Sequence, residues 1–258
     1  MTGATVAPDT GDHQDLLGQT VVVIGGSAGI GLETARLARA RGAAVVLTAR
    51  DPDRLQAAAD QVDASGTAAF DVTDLGRLER FFEDLPGPID HVMVTGPGPY
   101  YSSLADMDFE AARRDVDDRI VVTLAVARYG AARMRPPGTL LFMGGTSGRS
   151  AGVGLTLISA MTAALPALVA SLAVELAPIR ANLIAAGFVD TPLSASLLGD
   201  QLDARRAELR ATLPIGRVVG PVDVAALVVH LMINTALTGA TYDIDGGQQL
   251  LSNRGGTR

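Results

Sequence analysis

Short aliphatic and β-branched runs alternate along the chain with longer stretches in which apolar residues recur at helical spacing. "TVVVIG" (20–25) is an apolar run of strand length, and "GIGLETARLARARG" follows it with helical spacing and a stopping glycine. "AAVVLTA" (43–49) predicts a second strand, and "DPDRLQAAADQV" a helix capped by Asp51 with Pro52 in its first turn. Further strands are predicted over "TAAFDV", "DHVMVTG", "GTLLFMGG", "RANLIAAG" and "GATYDIDGG". Helices are predicted over about 108–134, over "LTLISAMTAALPALVASLAVELA" and over "PVDVAALVVHLMI". Strand–helix alternation at this pitch means an α/β fold, a parallel sheet with helices on both faces. No linker, repeat or low-complexity tract interrupts it. A single domain is expected over 15–252, between a flexible N-terminal segment (1–14) and a loosely held C-terminal tail (253–258).

Composition narrows the chemistry. The 258 residues are 48% hydrophobic but only 4% aromatic, so the core must be built mostly from Ala, Val, Leu and Ile. A net charge of −7 argues against a nucleic-acid partner, which favours a basic face. All 21 basic residues are arginine, so no mechanism here uses a lysine ammonium. Cysteine is absent, and His13, His91 and His230 stand far apart, so no metal site is expected. The N-terminus has no apolar signal core and no run is read as a membrane span, which gives an expectation of a soluble, cytoplasmic protein.

The most specific local signal is "VVVIGGSAGIGLETA". Gly25, Gly29 and Gly31 fall between a predicted strand and a predicted helix, where glycines permit a tight turn and close approach of a pyrophosphate to the backbone. Ser27 and Ile30 belong to the same loop. At the end of the second strand, where an NAD-binding sheet places an acid for the ribose 2′-hydroxyl, the chain has Ala49 and then Arg50. A guanidinium pairs with a 2′-phosphate, so NADP(H) is preferred over NAD(H).

With these residues in place the sequence resembles the short-chain dehydrogenases/reductases across about residues 17–250. "GGSAGIG" is similar to the family's TGxxxGIG loop, with Ile24 in place of the usual Thr. "FDVTD" matches the segment whose Asp, here Asp71, meets the adenine beside the Val72 backbone. "RANLIAAGFVDTPL" carries Asn182, Gly187, Val189 and Thr191 of a family segment in which Ala186 replaces a proline. "TGATYDIDGGQQL" resembles the closing segment. The family's NNAG reads "VTGPG" here, with Thr95 and Gly96 near its second Asn and its Ala. The resemblance implies a single-domain Rossmann fold with a doubly wound seven-stranded parallel sheet, NADP(H) across its C-terminal edge, and a homodimer or homotetramer. Val189 and Thr191 would then lie near the nicotinamide carboxamide and the phosphates.

The family's catalytic Ser, Tyr and Lys fall on other residues in this chain. Counting seven on from Gly138 puts the serine position at Gly145; counting thirteen back from Ser171 puts the tyrosine at Ile158 and the lysine at Thr162. The family asparagine aligns with Asp117 or Arg119. Replacement donors are sought in Tyr100 and Tyr101 of "GPGPYYSS" and in Thr146 and Ser147 beside the serine position, against plain pocket lining for the tyrosines and loop capping for the other two. "LSASLLGDQLDARRAELRATLP" is expected to form a mobile helical lid. Its apolar Leu193, Leu197 and Leu198 face an apolar substrate, and its charges (Asp203, Arg205, Arg206, Glu208, Arg210) make a solvated face. Two readings follow. One is an NADP(H)-dependent oxidoreductase acting on an unidentified carbonyl- or imine-type small molecule without the Tyr–Lys mechanism. The other is an inactive NADP(H)-binding protein, a cofactor sensor or structural subunit.

Overall fold

Strand β1 (Thr20–Ile24) begins the sheet, and its alternating side chains feed both faces: Val22 and Ile24 enter one core, Val21 and Val23 the other. The computed structural model describes residues 15–252 except Pro97 and Ser150. The expected N-terminal segment, C-terminal tail and His13 lie outside the described residues. After β1 come α1 (Gly29–Ala40), β2 (Ala44–Ala49), α2 (Pro52–Val62), β3 (Gly66–Ala69), α3 (Leu75–Asp84) and β4 (Ile89–Val94). Then follow α4 (Phe109–Val116), a π-helical turn (Asp117–Val121), α5 (Val122–Ala131), β5 (Met134–Gly145), α6 (Thr156–Glu175) and β6 (Arg180–Ala186). The chain closes with α7 (Pro192–Leu198), α8 (Leu202–Thr212), α9 (Pro221–Ile233), β7 (Thr241–Ile244) and α10 (Gln248–Ser252).

All seven strands are parallel, in the order β3-β2-β1-β4-β5-β6-β7. Register follows the pleat: Val22 sits opposite Val46 and Val92, and Val92 opposite Leu140. One core lies between the sheet and α3, α5 and α6; the other lies beneath α1, α2 and α9. Each aliphatic side chain fully buried there contributes about 1.5–3 kcal/mol relative to exposure. The order reverses between β1 and β4, which opens a crevice at the carboxyl ends of the strands.

At the opposite ends of the strands a buried arginine and a buried histidine brace the sheet. Arg180 is 4% exposed and donates to the carbonyls of Pro137, Leu231, Met232, Asn234 and Leu237, thereby capping the C-terminus of α9. His91, 3% exposed, pairs through Nε2 with Gln19 Oε1 at 2.7 Å. Burial chiefly, reinforced by the Arg180 charge against a smaller opposing effect of Asp90, pushes the His91 pKa down to about 4.

Several elements depart from the sequence reading, among them α3, which it did not predict. The helical region predicted over 108–134 is divided by the π-helical turn. One extra residue in a turn barely alters helical periodicity, so the apolar pattern does not reveal it. β5 starts at Met134, before the predicted run, and β3 and β7 are shorter than predicted. α10 was not expected, because five residues are too few for a period to show. Finally, α6 is long and apolar enough to cross a bilayer by length and composition, contrary to the expectation that no run was; its inward face, with Leu165, Val169 and Leu172, is packed into the core.

Candidate functional site

The glycine loop joins β1 to α1 at the mouth of the crevice. Gly25 takes φ = +88°, and a Cβ on it would lie 2.1 Å from Thr95 Oγ1. A Cβ on Gly31 would lie 2.2 Å from the Gly25 carbonyl oxygen, so β1 and α1 meet at a distance that only glycine allows. Helix α1 then begins without a side-chain cap: its N-cap is Ala28, and its first turn contains no acid. Its first N–H groups therefore point toward the crevice with the positive end of the helix dipole behind them, which suits a pyrophosphate. Ser27 and Ile30 lie half-buried in the same loop.

The other cofactor candidates gather around this loop. Thr95, after β4, donates from Oγ1 to the Ile24 and Gly25 carbonyls at 3.2 and 3.4 Å, and Gly96 follows at φ = +71°. A Cβ on Gly29 would lie 3.5 Å from Thr191, so the segment after β6 reaches across to the glycine loop. The Thr191 hydroxyl accepts from Ser194 N at 3.3 Å and caps α7. Gly187 packs where a Cβ would lie 2.6 Å from Asp245 Cβ, and Val189 is buried against Val219. Arg50 is exposed at the end of β2, and its charge reaches Asp71, the carboxylate after β3. One oxygen of Asp71 accepts from Thr73 N at 3.0 Å and Thr73 Oγ1 at 2.8 Å. The backbone hydrogen bond from Thr73 is the main influence holding Asp71 below the usual carboxylate range. Its second oxygen has no hydrogen-bond partner among the described residues, and Val72 is half-buried beside it.

The far wall is formed by β5, α6 and the loop after β4. Gly145, Ile158 and Thr162 do come together: a Cβ on Gly145 would lie 3.5 Å from Thr162 Cγ2, and Ile158 is one helical turn before Thr162. Ile158 is 2% exposed and Thr162 6%. The Thr162 hydroxyl donates to the Ile158 carbonyl at 2.8 Å, inside its own helix. Thr146 and Ser147 open the turn after β5, where Thr146 N donates to Ala186 O and the Ser147 carbonyl accepts from Ser159 Oγ at 3.0 Å. Tyr100 and Tyr101 have different surroundings. The Tyr100 hydroxyl accepts from Asp108 N at 3.0 Å and staples the start of α4, whereas Tyr101 is 52% exposed.

Sequence reasoning missed two ion pairs beside this wall. Arg119, in the π-helical turn, donates from Nε to both oxygens of Asp115 at 3.1 Å and from a terminal nitrogen to Gly98 O at 3.2 Å. Asp115 also accepts from Tyr100 N at 3.3 Å. Their i,i+4 spacing was visible in the sequence, but their burial was not. Arg206, read as part of a solvated face, instead grips Asp190 with two hydrogen bonds of 2.9 and 2.8 Å and joins α8 to the segment between Val189 and Thr191. Asp118, next to Arg119, has its carboxyl pushed up first by burial and then by the charges of Asp71 and Asp115. The lid closes over this wall at Leu193, whose Cδ1 lies 3.1 Å from where a Gly98 Cβ would be.

A groove of about 700 Å³ also opens between α3 and the outer strands, but Thr20, Ala44 and Gly66 place it at the amino ends of β1, β2 and β3, away from the crevice. Among the described residues no cluster of His, Cys, Asp or Glu is arranged to hold a metal ion.

Comparison with known proteins agrees with this geometry. The family model described as enoyl-(acyl carrier protein) reductase matches residues 25–249. The short-chain dehydrogenase/reductase ATR9 of Stachybotrys chlorohalonatus is 29% identical over 89% of this chain and 96% of its own. The 3-oxoacyl-[acyl-carrier-protein] reductase FabG of Escherichia coli is 29% identical over 91% of this chain and 98% of its own. Among solved structures, the MalC reductase/Diels-Alderase of Malbranchea aurantiaca superposes with a TM-score of 0.85 at 25% identity, covering 93% of this chain and 99% of that one. A small-chain dehydrogenase in complex with NADPH superposes with a TM-score of 0.77 at 26% identity over 90% of this chain and 99% of that one. The glycine loop, the strand order and these matches together show that the chain belongs to the short-chain dehydrogenase/reductase family of oxidoreductases.

Proposed function

We propose that this protein is an NADPH-dependent reductase whose acceptor arrives already cationic, an iminium or a carbonyl carbon activated to an oxocarbenium. The observation that carries this reading is the pairing of a glycine cradle no side chain can enter with a far wall whose family tyrosine and lysine positions offer no proton. Ile158 has none to give, the Thr162 hydroxyl is engaged with a carbonyl, and the chain contains no lysine. When bound, NADPH supplies a hydride. An iminium accepts it to become an amine with no proton from the protein, so an apolar wall suffices; a ketone would leave an alkoxide in need of an acid. The cofactor is held by Gly25, Ser27, Gly29, Ile30, Gly31, Asp71, Val72, Thr95, Gly96, Gly187, Val189 and Thr191, with Arg50 reading the 2′-phosphate. That one similar protein was solved with NADPH and another is described as a reductase supports the reading.

The same Ile158 and Thr162 favour a second reading, in which the chain binds NADP(H) without turnover. Either form assembles as a homodimer or homotetramer. α6 is apolar all round, only 33% of its most apolar 18-residue window is buried, and its outward Ala160, Ala163, Ala167, Ala170 and Val174 call for a partner surface.

Calorimetry with NADPH and NADH, followed by NADPH consumption with a preformed cyclic iminium and the ketone of matching skeleton, tests these readings. The expected result is NADPH binding at least roughly tenfold tighter than NADH, with turnover of the iminium alone. Binding without turnover of either compound selects the second reading, and no binding removes both.

A further inference from the structure

Of the ion pairs among the described residues, Asp115–Arg119 is the least exposed, with 5% and 11% of the two side chains open to solvent. Two groups hold the guanidinium in place, and a third holds its backbone. Asp115 takes Nε, the Gly98 carbonyl takes Nη2, and Thr123 Oγ1 donates to the Arg119 carbonyl at 2.6 Å, fixing the backbone of the π-helical turn. The remaining nitrogen, Nη1, has no partner among the described residues. Nor is it one of the fully buried side-chain atoms left unpaired among the described residues, which are Thr34 Oγ1 in α1 and His91 Nδ1 in β4. A nearly buried guanidinium with three unspent N–H donors, two of them on Nη1, is placed to take an acceptor from the open side of the wall.

Its position indicates where that acceptor comes from. Gly98, which Arg119 holds, lies under Leu193 of the lid. The π-helical turn packs against α6, the helix that carries Ile158 and Thr162. Arg119 thus stands between the loop under Leu193 and the helix that carries Ile158 and Thr162, with the half-buried Asp118 carboxyl beside it.

We propose that Nη1 of Arg119 is a substrate-binding donor that receives an anionic oxygen, a carboxylate or an enolate, of a largely apolar molecule whose remainder lies against Ile158 and the lid. A guanidinium stays protonated, so Arg119 orients and stabilises that oxygen and does not supply a proton. Asp115 is a positioning residue, since it touches Arg119 and the Tyr100 amide. The inference deepens the proposed reduction and rests on this wall being the substrate side.

Benzoate and its neutral counterpart benzamide serve as probes, titrated into NADP⁺-saturated and cofactor-free protein and followed by ligand-observed NMR. The expected result is benzoate binding that is several-fold tighter than benzamide and weakened about tenfold in Arg119→Met, the loss typical of a charge-assisted hydrogen bond. Arg119→Met strands the Asp115 charge and can unfold the chain. The double variant Asp115→Leu, Arg119→Met removes both charges, and its NADP⁺ affinity reports an intact crevice. Benzoate binding that is equal in the wild type and the double variant, or absent from the wild type, overturns the proposal. Arg119-dependent benzoate binding to a chain that takes no NADP⁺ would sink the reductase reading and leave this subsite standing.

Discussion

The two walls of the crevice are specified by opposite means. On the cofactor wall the backbone is so close to itself that a single methyl is excluded at Gly25 and Gly31, and α1 presents bare N–H groups because Ala28 cannot cap them. On the far wall the positions where the family has its tyrosine and lysine are filled: Ile158 and Thr162 are buried, and the Thr162 hydroxyl is turned into its own helix. One wall is defined by what is missing from its side chains, the other by side chains that pack. In the proposed function, cofactor binding and proton transfer are separable, because the glycine cradle and the family's acid positions lie on different walls.

The sharpest way to break this contrast is to add a methyl to one wall and remove carbons from the other. Gly31→Ala places a Cβ 2.2 Å from the Gly25 oxygen. NADPH affinity should fall by at least about a thousandfold, roughly 4 kcal/mol, in a calorimetric titration. Undiminished binding would mean that the loop does not hold the pyrophosphate. Ile158→Ala should do the reverse, costing about 2–4 kcal/mol of stability in urea unfolding through a cavity while leaving NADPH affinity within about twofold.

A perturbation that strikes both walls together provides the control. His91 lies within β4, the strand next to the crevice, with its pKa pushed down to about 4 against an ordinary value of 6.5. Below 6.5 the unfolded chain takes up a proton that folded His91 refuses until about pH 4, so stability is flat above that window and falls as pH drops through it. The total loss is about 3 kcal/mol. His91→Gln should remove most of this dependence in urea midpoints measured across the window. A slope unchanged by the substitution would assign the acid lability to another group.

How much of this was legible in the sequence follows the same division. The glycine loop and the strand–helix alternation could be read, because close backbone approach leaves no choice of residue and strand period leaves little choice of face, while Gly145, Ile158 and Thr162 were located through the family resemblance. Side-chain partnerships could not be read. Tyr100 was read as a candidate donor, but its hydroxyl is engaged with the backbone of Asp108, a contact set by how the loop after β4 folds onto α4. The π-helical turn that aims Arg119 changes the helical period too little to be seen. Arg50 sits between these cases: its place at the end of β2 was readable, and its role depends on a ligand. Arg50→Ala should weaken NADPH about tenfold, near 1.4 kcal/mol, and leave NADH unchanged. Equal loss for both cofactors would make Arg50 a general anion contact instead of a 2′-phosphate reader.

The smallest expected effect tests whether the two walls communicate through the lid. Arg206 was expected to face solvent, yet it joins α8 to Asp190, the residue between two cofactor-wall positions, Val189 and Thr191. Both partners are partly exposed, so the pair adds little to global stability, and its influence should be local. In Arg206→Gln, backbone amides of α8 should exchange with deuterium several-fold faster while those of α1 stay unchanged. NADPH should then protect α8 less than it does in the wild type, because the link from Asp190 has been cut. If α8 exchange is the same with and without Arg206, the lid is held by Leu193 against Gly98 and by packing alone. The cofactor wall would then have no direct grip on the helix that closes the substrate side.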